Sequence, residues 1–201
     1  MTVNTATPDY IVGGVLTDGE AWVPLATTIL SSGAVNIGFT STTGANDWSQ
    51  YMDLVLISYL RSDESAASSY LRVMVNSGSV TATGGYTEQG VWGNGSTSTG
   101  SLDTSTIQGI AGYMPADSAG ANIFGSAITT IHDINSGKHK TIETSFASDT
   151  VGSGYVGVFV TTRNTQAPVT SVYLSLYPTG SDDLVAGSRV DLFGILPRMV
   201  S

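Results

Sequence analysis

Short runs in which every second residue is apolar, each closed by a cluster of Gly, Ser, Asn or Asp, recur along most of this 201-residue chain. Successive side chains of a strand point to opposite faces, so such a run makes a segment with one face for a core and one for solvent. Val35, Ile37 and Phe39 alternate in this way within 34–39. Val172, Leu174 and Leu176 alternate with Tyr173 and Tyr177 within 171–177. Within 122–134, Ile123, Ala127 and Ile131 fall near one face and Phe124 and Ile128 on the other. Further runs rich in β-formers cover 22–30, 70–75, 139–146, 155–162 and 189–195. Pro24 assigns the first of these to a sheet edge or a strand start, because proline cannot donate to a ladder.

Residues 51–61 are almost continuously apolar, which fits a central strand covered on both faces or a short helix, and their β-branched and aromatic content favours the strand. Asn135-Ser136-Gly137-Lys138 reads as a hairpin turn, and 149–154 as another. The stretch 79–105, with Gly93–Ser101 as its small, low-complexity centre, reads as a long surface loop with Trp92 at its edge. No segment carries an amphipathic helical pattern and no fixed-period repeat is present, which argues against a solenoid or propeller. Eight to ten short strands without helices predict an all-β fold: a two-sheet β-sandwich, jelly-roll-like, over residues 21–201. Residues 1–20 read as an extended N-terminal arm that packs on a neighbouring subunit, or as the first strand. Their apolar part, Tyr10, Ile11 and Val12 through Leu16, is interrupted by Gly13-Gly14.

Composition narrows the function. There is no cysteine, so disulfide scaffolds and zinc–cysteine folds are excluded. Seven Lys+Arg against sixteen Asp+Glu give a net charge of -9, which argues against a nucleic-acid partner. Charged residues make up only 11%, where a soluble domain has about 25%. Ser and Thr together supply about a quarter of the chain. A domain this thinly charged has few means of keeping a lone surface soluble, and is expected to bury its faces in a symmetric oligomer. The first ten residues show neither a basic n-region nor an apolar h-region, and no apolar run reaches the ~18 residues of a membrane span. The expectation is synthesis in a cytoplasm, no membrane partner, and action elsewhere only after lysis or on a particle.

Candidate chemistry is sparse. His132 and His139 flank the predicted hairpin and read as a polar cross-strand pair rather than a two-His metal site, because no third metal ligand is spaced beside them. Gly152-Ser153-Gly154 lacks the nucleophile-elbow pattern, and Gly93–Gly100 fits no phosphate-binding loop. Asp53, Glu88, Asp103 and Glu143 supply carboxylates that a glycosidase would need in pairs, but sequence cannot pair them. Asp182-Asp183 reads as a solvated turn, and Asn94-Gly95-Ser96 as a chance glycosylation match. No catalytic residue, cofactor site or metal site is assigned, and no enzyme activity is expected. The aromatic candidates for an interface are Trp22 and Trp92, beside Tyr10, Ile11 and Val12 of the arm.

Three stretches carry a family resemblance: 152–157 (Gly-Ser-Gly-Tyr-Val-Gly), 161–172 (Thr-Thr-Arg-Asn-Thr-Gln-Ala-Pro-Val-Thr-Ser-Val) and 185–195 (Val-Ala-Gly-Ser-Arg-Val-Asp-Leu-Phe-Gly-Ile). With 51–56 and 121–125 they resemble a family of tailed-phage virion structural proteins over roughly residues 20–196. Leu184 stands where that pattern often has an aromatic, Thr162 where a Trp often precedes Arg163, and 196–201 run past the usual end. The resemblance implies a jelly-roll-like sandwich on the outside of a phage particle, a homotrimer, and no catalysis. It points to a capsid decoration (cement) protein bound to the major capsid protein, or to a tail-fibre or tail-tip module that binds a host glycan or surface protein.

Overall fold

The alternating runs pair into antiparallel ladders and bury their apolar faces on one another. A computed structural model describes residues 11–12, 15–16, 22–76, 84–106, 108–177 and 182–196. Its strands are β1 (Ile11–Val12), β2 (Val15–Leu16), β3 (Trp22–Ile29), β4 (Asn36–Thr40), β5 (Asp53–Leu60), β6 (Ser68–Val75) and β7 (Tyr86–Gly93). They continue as β8 (Ser98–Thr106), β9 (Gly109–Pro115), β10 (Gly125–His132), β11 (Lys140–Asp149), β12 (Gly154–Arg163), β13 (Ser171–Tyr177) and β14 (Arg189–Ile195). Helical structure among the described residues is confined to two 3-10 turns, Gly44–Asn46 and Trp48–Gln50. No described helix is long and apolar enough to cross a membrane.

One sheet has the order β3-β14-β5-β10-β11-β12-β7-β8 and the other β4-β13-β6-β9. Eight of these strands, β3, β4, β5, β6, β9, β10, β13 and β14, form the roll. Numbered one to eight along the chain, they lie as 1-8-3-6 in one sheet and 2-7-4-5 in the other. That alternation is the double Greek key of a jelly roll. Two hairpins are added to it. β7–β8, inserted between β6 and β9, and β11–β12, inserted between β10 and β13, extend the larger sheet by four strands.

The core lies between the sheets. Leu54, Leu56 and Leu60 of β5 and Val190 and Leu192 of β14 line one side. Ile37 and Phe39 of β4, Leu71, Val73 and Val75 of β6, and Val172, Leu174 and Leu176 of β13 line the other. Each fully buried Leu or Val contributes about 1.5–3 kcal/mol. β5 is central, between β14 and β10, as its sequence predicts. Its outer face is covered only at Val55, however, and Ile57 and Tyr59 are exposed.

β9 is buried at all seven positions because the added hairpins lie over it, with β11 and β12 in closest contact. Glycines allow this approach. A Cβ on Gly112, whose φ is +116°, would stand 2.5 Å from Phe146 Cγ. The connection into β10 is anchored by Arg61, whose guanidinium donates to the carbonyls of Gly120 (2.8 Å), Asp117 (3.1 Å), Ala119 (3.1 Å) and Ile123 (3.2 Å).

One sequence reading needs correction. The predicted loop over 79–105 is, from Tyr86 onward, the β7–β8 hairpin. Its small residues occupy a turn and an exposed strand, where backbone pairing rather than side-chain hydrophobicity sets the conformation. Trp92 therefore lies within β7 and not beside a loop. At the N-terminus, β1 and β2 pair with each other in register Ile11 with Leu16 and Val12 with Val15, and are hydrogen-bonded into neither large sheet. Tyr10 lies outside the described residues, as do the side chains of Ile11 and Val12.

Candidate interaction surface

The four-stranded extension β11-β12-β7-β8 has two unlike faces. Its inner face meets β9 through an aromatic cluster centred on Tyr113. Tyr155 stacks on Tyr113 at 4.5 Å, Tyr70 approaches it at 4.6 Å, and Trp92 and Phe146 lie at 5.8 Å. Trp92 also stacks on Phe159 at 5.2 Å. Burial, followed by the hydroxyl of Tyr70, pushes the Tyr113 phenol well above its ordinary value. Trp92 is thus half-buried packing against the core. Trp22, the other tryptophan candidate, starts the edge strand β3, remains 49% exposed, and leans on Phe193 at 5.8 Å.

The same inner face carries a buried ion pair. The Arg72 guanidinium lies 3.4 Å from Glu88 Oε2, which also accepts the Ile110 N–H at 3.0 Å. Arg72 sits over the Tyr177 ring at 4.8 Å as well. Burial raises the Glu88 pKa against the lowering pull of Arg72.

The outer face is different in kind. The ladders place Ala147, Val156, Gly93 and Ser98 in one row, Ser145, Val158, Val91 and Gly100 in the next, and Glu143, Val160, Gln89 and Leu102 in a third. Val91 (59%), Leu102 (60%) and Val156 (64%) are exposed there, and Glu143 is the single charge in the three rows. A shallow groove of about 580 Å³ runs between Val158, Val160, Val91 and Leu102. A second groove of about 700 Å³ opens at the end of the sheet, between Gly93–Ser96 and Asp149–Gly154, with Tyr155 and Val156 along it. Asn94 orders that end. Its Oδ1 accepts from Ser96 N (3.0 Å), Thr97 N (2.9 Å) and Thr97 Oγ1 (3.1 Å), so the glycosylation-like triplet acts as a turn cap. A further exposed apolar group, Ile57, Tyr59 and Ile128, lies on the roll, beyond the polar outer residues of β11.

The candidate polar chemistry does not converge. His132 pairs with Thr141 across the hairpin and stands 3.9 Å from Asp53, while His139 precedes β11 in an exposed loop. No group of three metal-ligating side chains occurs among the described residues. Glu88 and Glu143 occupy opposite faces of the sheet and cannot flank one bond. Asp103 does stand opposite Glu88 in the ladder, a pairing that sequence could not supply. Neither lines either groove. Asp183 donates its N–H to Asp63 Oδ1 at 2.6 Å and accepts from Asp63 N at 3.0 Å, so the half-buried Asp182-Asp183 segment is tied to the chain that follows β5.

No protein-family model, no curated protein and no solved structure matches this chain. The phage resemblance therefore rests on its sequence stretches alone.

Proposed function

We propose that this chain is a structural subunit of a tailed-phage virion, a capsid decoration protein that sits as a homotrimer on the outer shell and acts by covering surface rather than by chemistry. The observation that carries this reading is the middle of the outer face of β11-β12-β7-β8, where Val91, Val156, Val158, Val160 and Leu102 lie in three rows that hold one charge, Glu143. Contiguous apolar patches of a few hundred Å² mark interaction sites on soluble domains. The jelly roll is shared by viral capsid domains, which supports the reading by fold analogy only. The sequence stretches at 152–157, 161–172 and 185–195 supply the phage assignment. A net charge of -9 suits the outside of a particle whose interior holds nucleic acid.

The test is to strip particles of this protein, measure their survival of heat and osmotic shock, and add it back. Restored resistance with wild type but not with Val156→Glu supports the reading. Stripped particles that are equally robust overturn it.

The groove at the turn end of the extension favours a second reading, a tail-fibre or tail-tip module that holds a host-surface glycan. Gly93→Val fills that groove with little strain, since a Cβ there meets only the Thr97 carbonyl at 3.5 Å. Loss of adsorption in this variant, with particle robustness intact, would transfer the assignment to the tail.

A further inference from the structure

We propose that β8 pairs edge to edge with β8 of a second copy of this chain, antiparallel, about a two-fold axis passing near Ser101. β8 ends the eight-stranded sheet, so every second backbone N–H and C=O along its free side points away from β7. It also overhangs the sandwich. Positions 98–104 are exposed throughout, including Thr99, Ser101 and Asp103, which share the inner face with Trp92, Gly90 and Glu88. The smaller sheet ends at β9, which packs on β11 and β12 and makes no extensive contact with β8.

Sheet edges are ordinarily protected by lysine, proline, a bulge or shortness. β3 has Pro24 and a register shift against β14, and β4 is five residues long. β9, the remaining edge of the two large sheets, is covered. β8 is nine residues long and holds no Lys, Arg or Pro, and its one register shift against β7 falls beyond Asp103, so Ser98 to Asp103 keep unbroken register. The chemistry of such an edge selects an extended strand as its occupant.

Charge and shape select a copy of the same strand. Copies at -9 repel, yet β8 presents a single ionisable side chain, Asp103. Pairing about Ser101 sets each Asp103 against Thr99 of the other copy, so no like charges oppose and a hydroxyl meets each carboxylate. On the outer face it sets each Leu102 against Gly100. There is room for that side chain, because a Cβ on Gly100 would have only the Gly90 carbonyl near it, at 3.8 Å. The apolar groove of Val91, Leu102 and Val160 then runs unbroken from one copy to the other. The contact is isologous. It is distinct from the three-fold contact of the proposed trimer, and in a trimer it leaves one edge per subunit to join a neighbouring trimer. The inference rests on the edge and not on the virion reading.

The absence of native cysteine makes the test clean. Directly opposed residues of antiparallel strands have Cα atoms about 4.5–5.5 Å apart, within disulfide span. Ser101→Cys under a mild oxidant is expected to give a covalent dimer as its main product on a non-reducing gel. Ser49→Cys, exposed on the 3-10 turn, is expected to stay monomeric at the same concentration. Leu102→Lys, with strand content checked by circular dichroism, is expected to lower the sedimenting mass of the untreated protein at least twofold. Failure of Ser101→Cys to crosslink, or an unchanged mass for Leu102→Lys, overturns the β8 contact whatever the outcome on phage particles.

Discussion

The Phe159 ring lies across Gly90, its cross-strand partner, where a Cβ would stand 2.3 Å from two of the ring carbons. Phe159 is buried and fixed between Trp92 at 5.2 Å and Phe146 at 5.6 Å, so it has nowhere to retreat. Gly90→Ala is expected to destabilise the protein by about 1–3 kcal/mol through overpacking. Gly137→Ala, with nothing within 4 Å of its Cβ, is expected to change stability by under about 0.5 kcal/mol. Urea unfolding of the two variants checks the contrast.

The turn between β11 and β12 stores strain at Val151. Val151 and Gly152 have φ of +60° and +84°, and Thr150 N donates to Ser153 O at 2.9 Å, the pattern of a two-residue hairpin turn. A β-branched residue is costly in the left-handed region, by about 1–2 kcal/mol. Val151→Asn is expected to raise the melting temperature, with a gain of about 1 kcal/mol. A lower melting temperature would mean that the exposed valine side chain contributes more than its backbone costs.

Glu88 makes stability depend on pH in the direction opposite to that of an ordinary paired carboxylate. Burial raises its pKa above the ordinary 4.5, so its ionised form is the one penalised by folding. The stability it contributes is therefore complete below the unfolded value and is lost as pH rises through the folded one. The unfolding free energy of wild type relative to Glu88→Gln is expected to shift in favour of wild type as pH falls from 7 to 4. A flat difference would show that Arg72 and the Ile110 N–H fully offset the burial.

Arg61→Lys is expected to cost about 3 kcal/mol despite keeping the charge. Four carbonyls converge on the planar guanidinium, and an ammonium on a shorter stem cannot reach them all. Hydrogen exchange should show the greatest loss of protection over 116–124.

The fold class was legible wherever one face of a strand is buried and the other wet. β4 and β10 alternate in sequence and in burial, and β13 does so except at the buried Ser175. The pattern misled where that contrast disappears. β9 is buried on both sides through Gly109 and Gly112, and reads as neither strand nor core. β8 is wet on both sides and reads as loop. Trp92 and Trp22 read alike in the sequence, as aromatics suited to an interface, and only their partners distinguish packing from exposed surface.

By itself, then, the sequence determined that the chain is built of extended segments, that its surface is thinly and negatively charged, and that it has no cysteine chemistry. Those properties follow from residue identity and from a periodicity of two, both local. Strand order, the addition of two hairpins to the roll, the meeting of Glu88 with Arg72, and the exposed valine face beside an open edge were decided by the tertiary structure. Each joins residues distant in the chain, and an antiparallel partner is selected by register and packing that no single strand encodes.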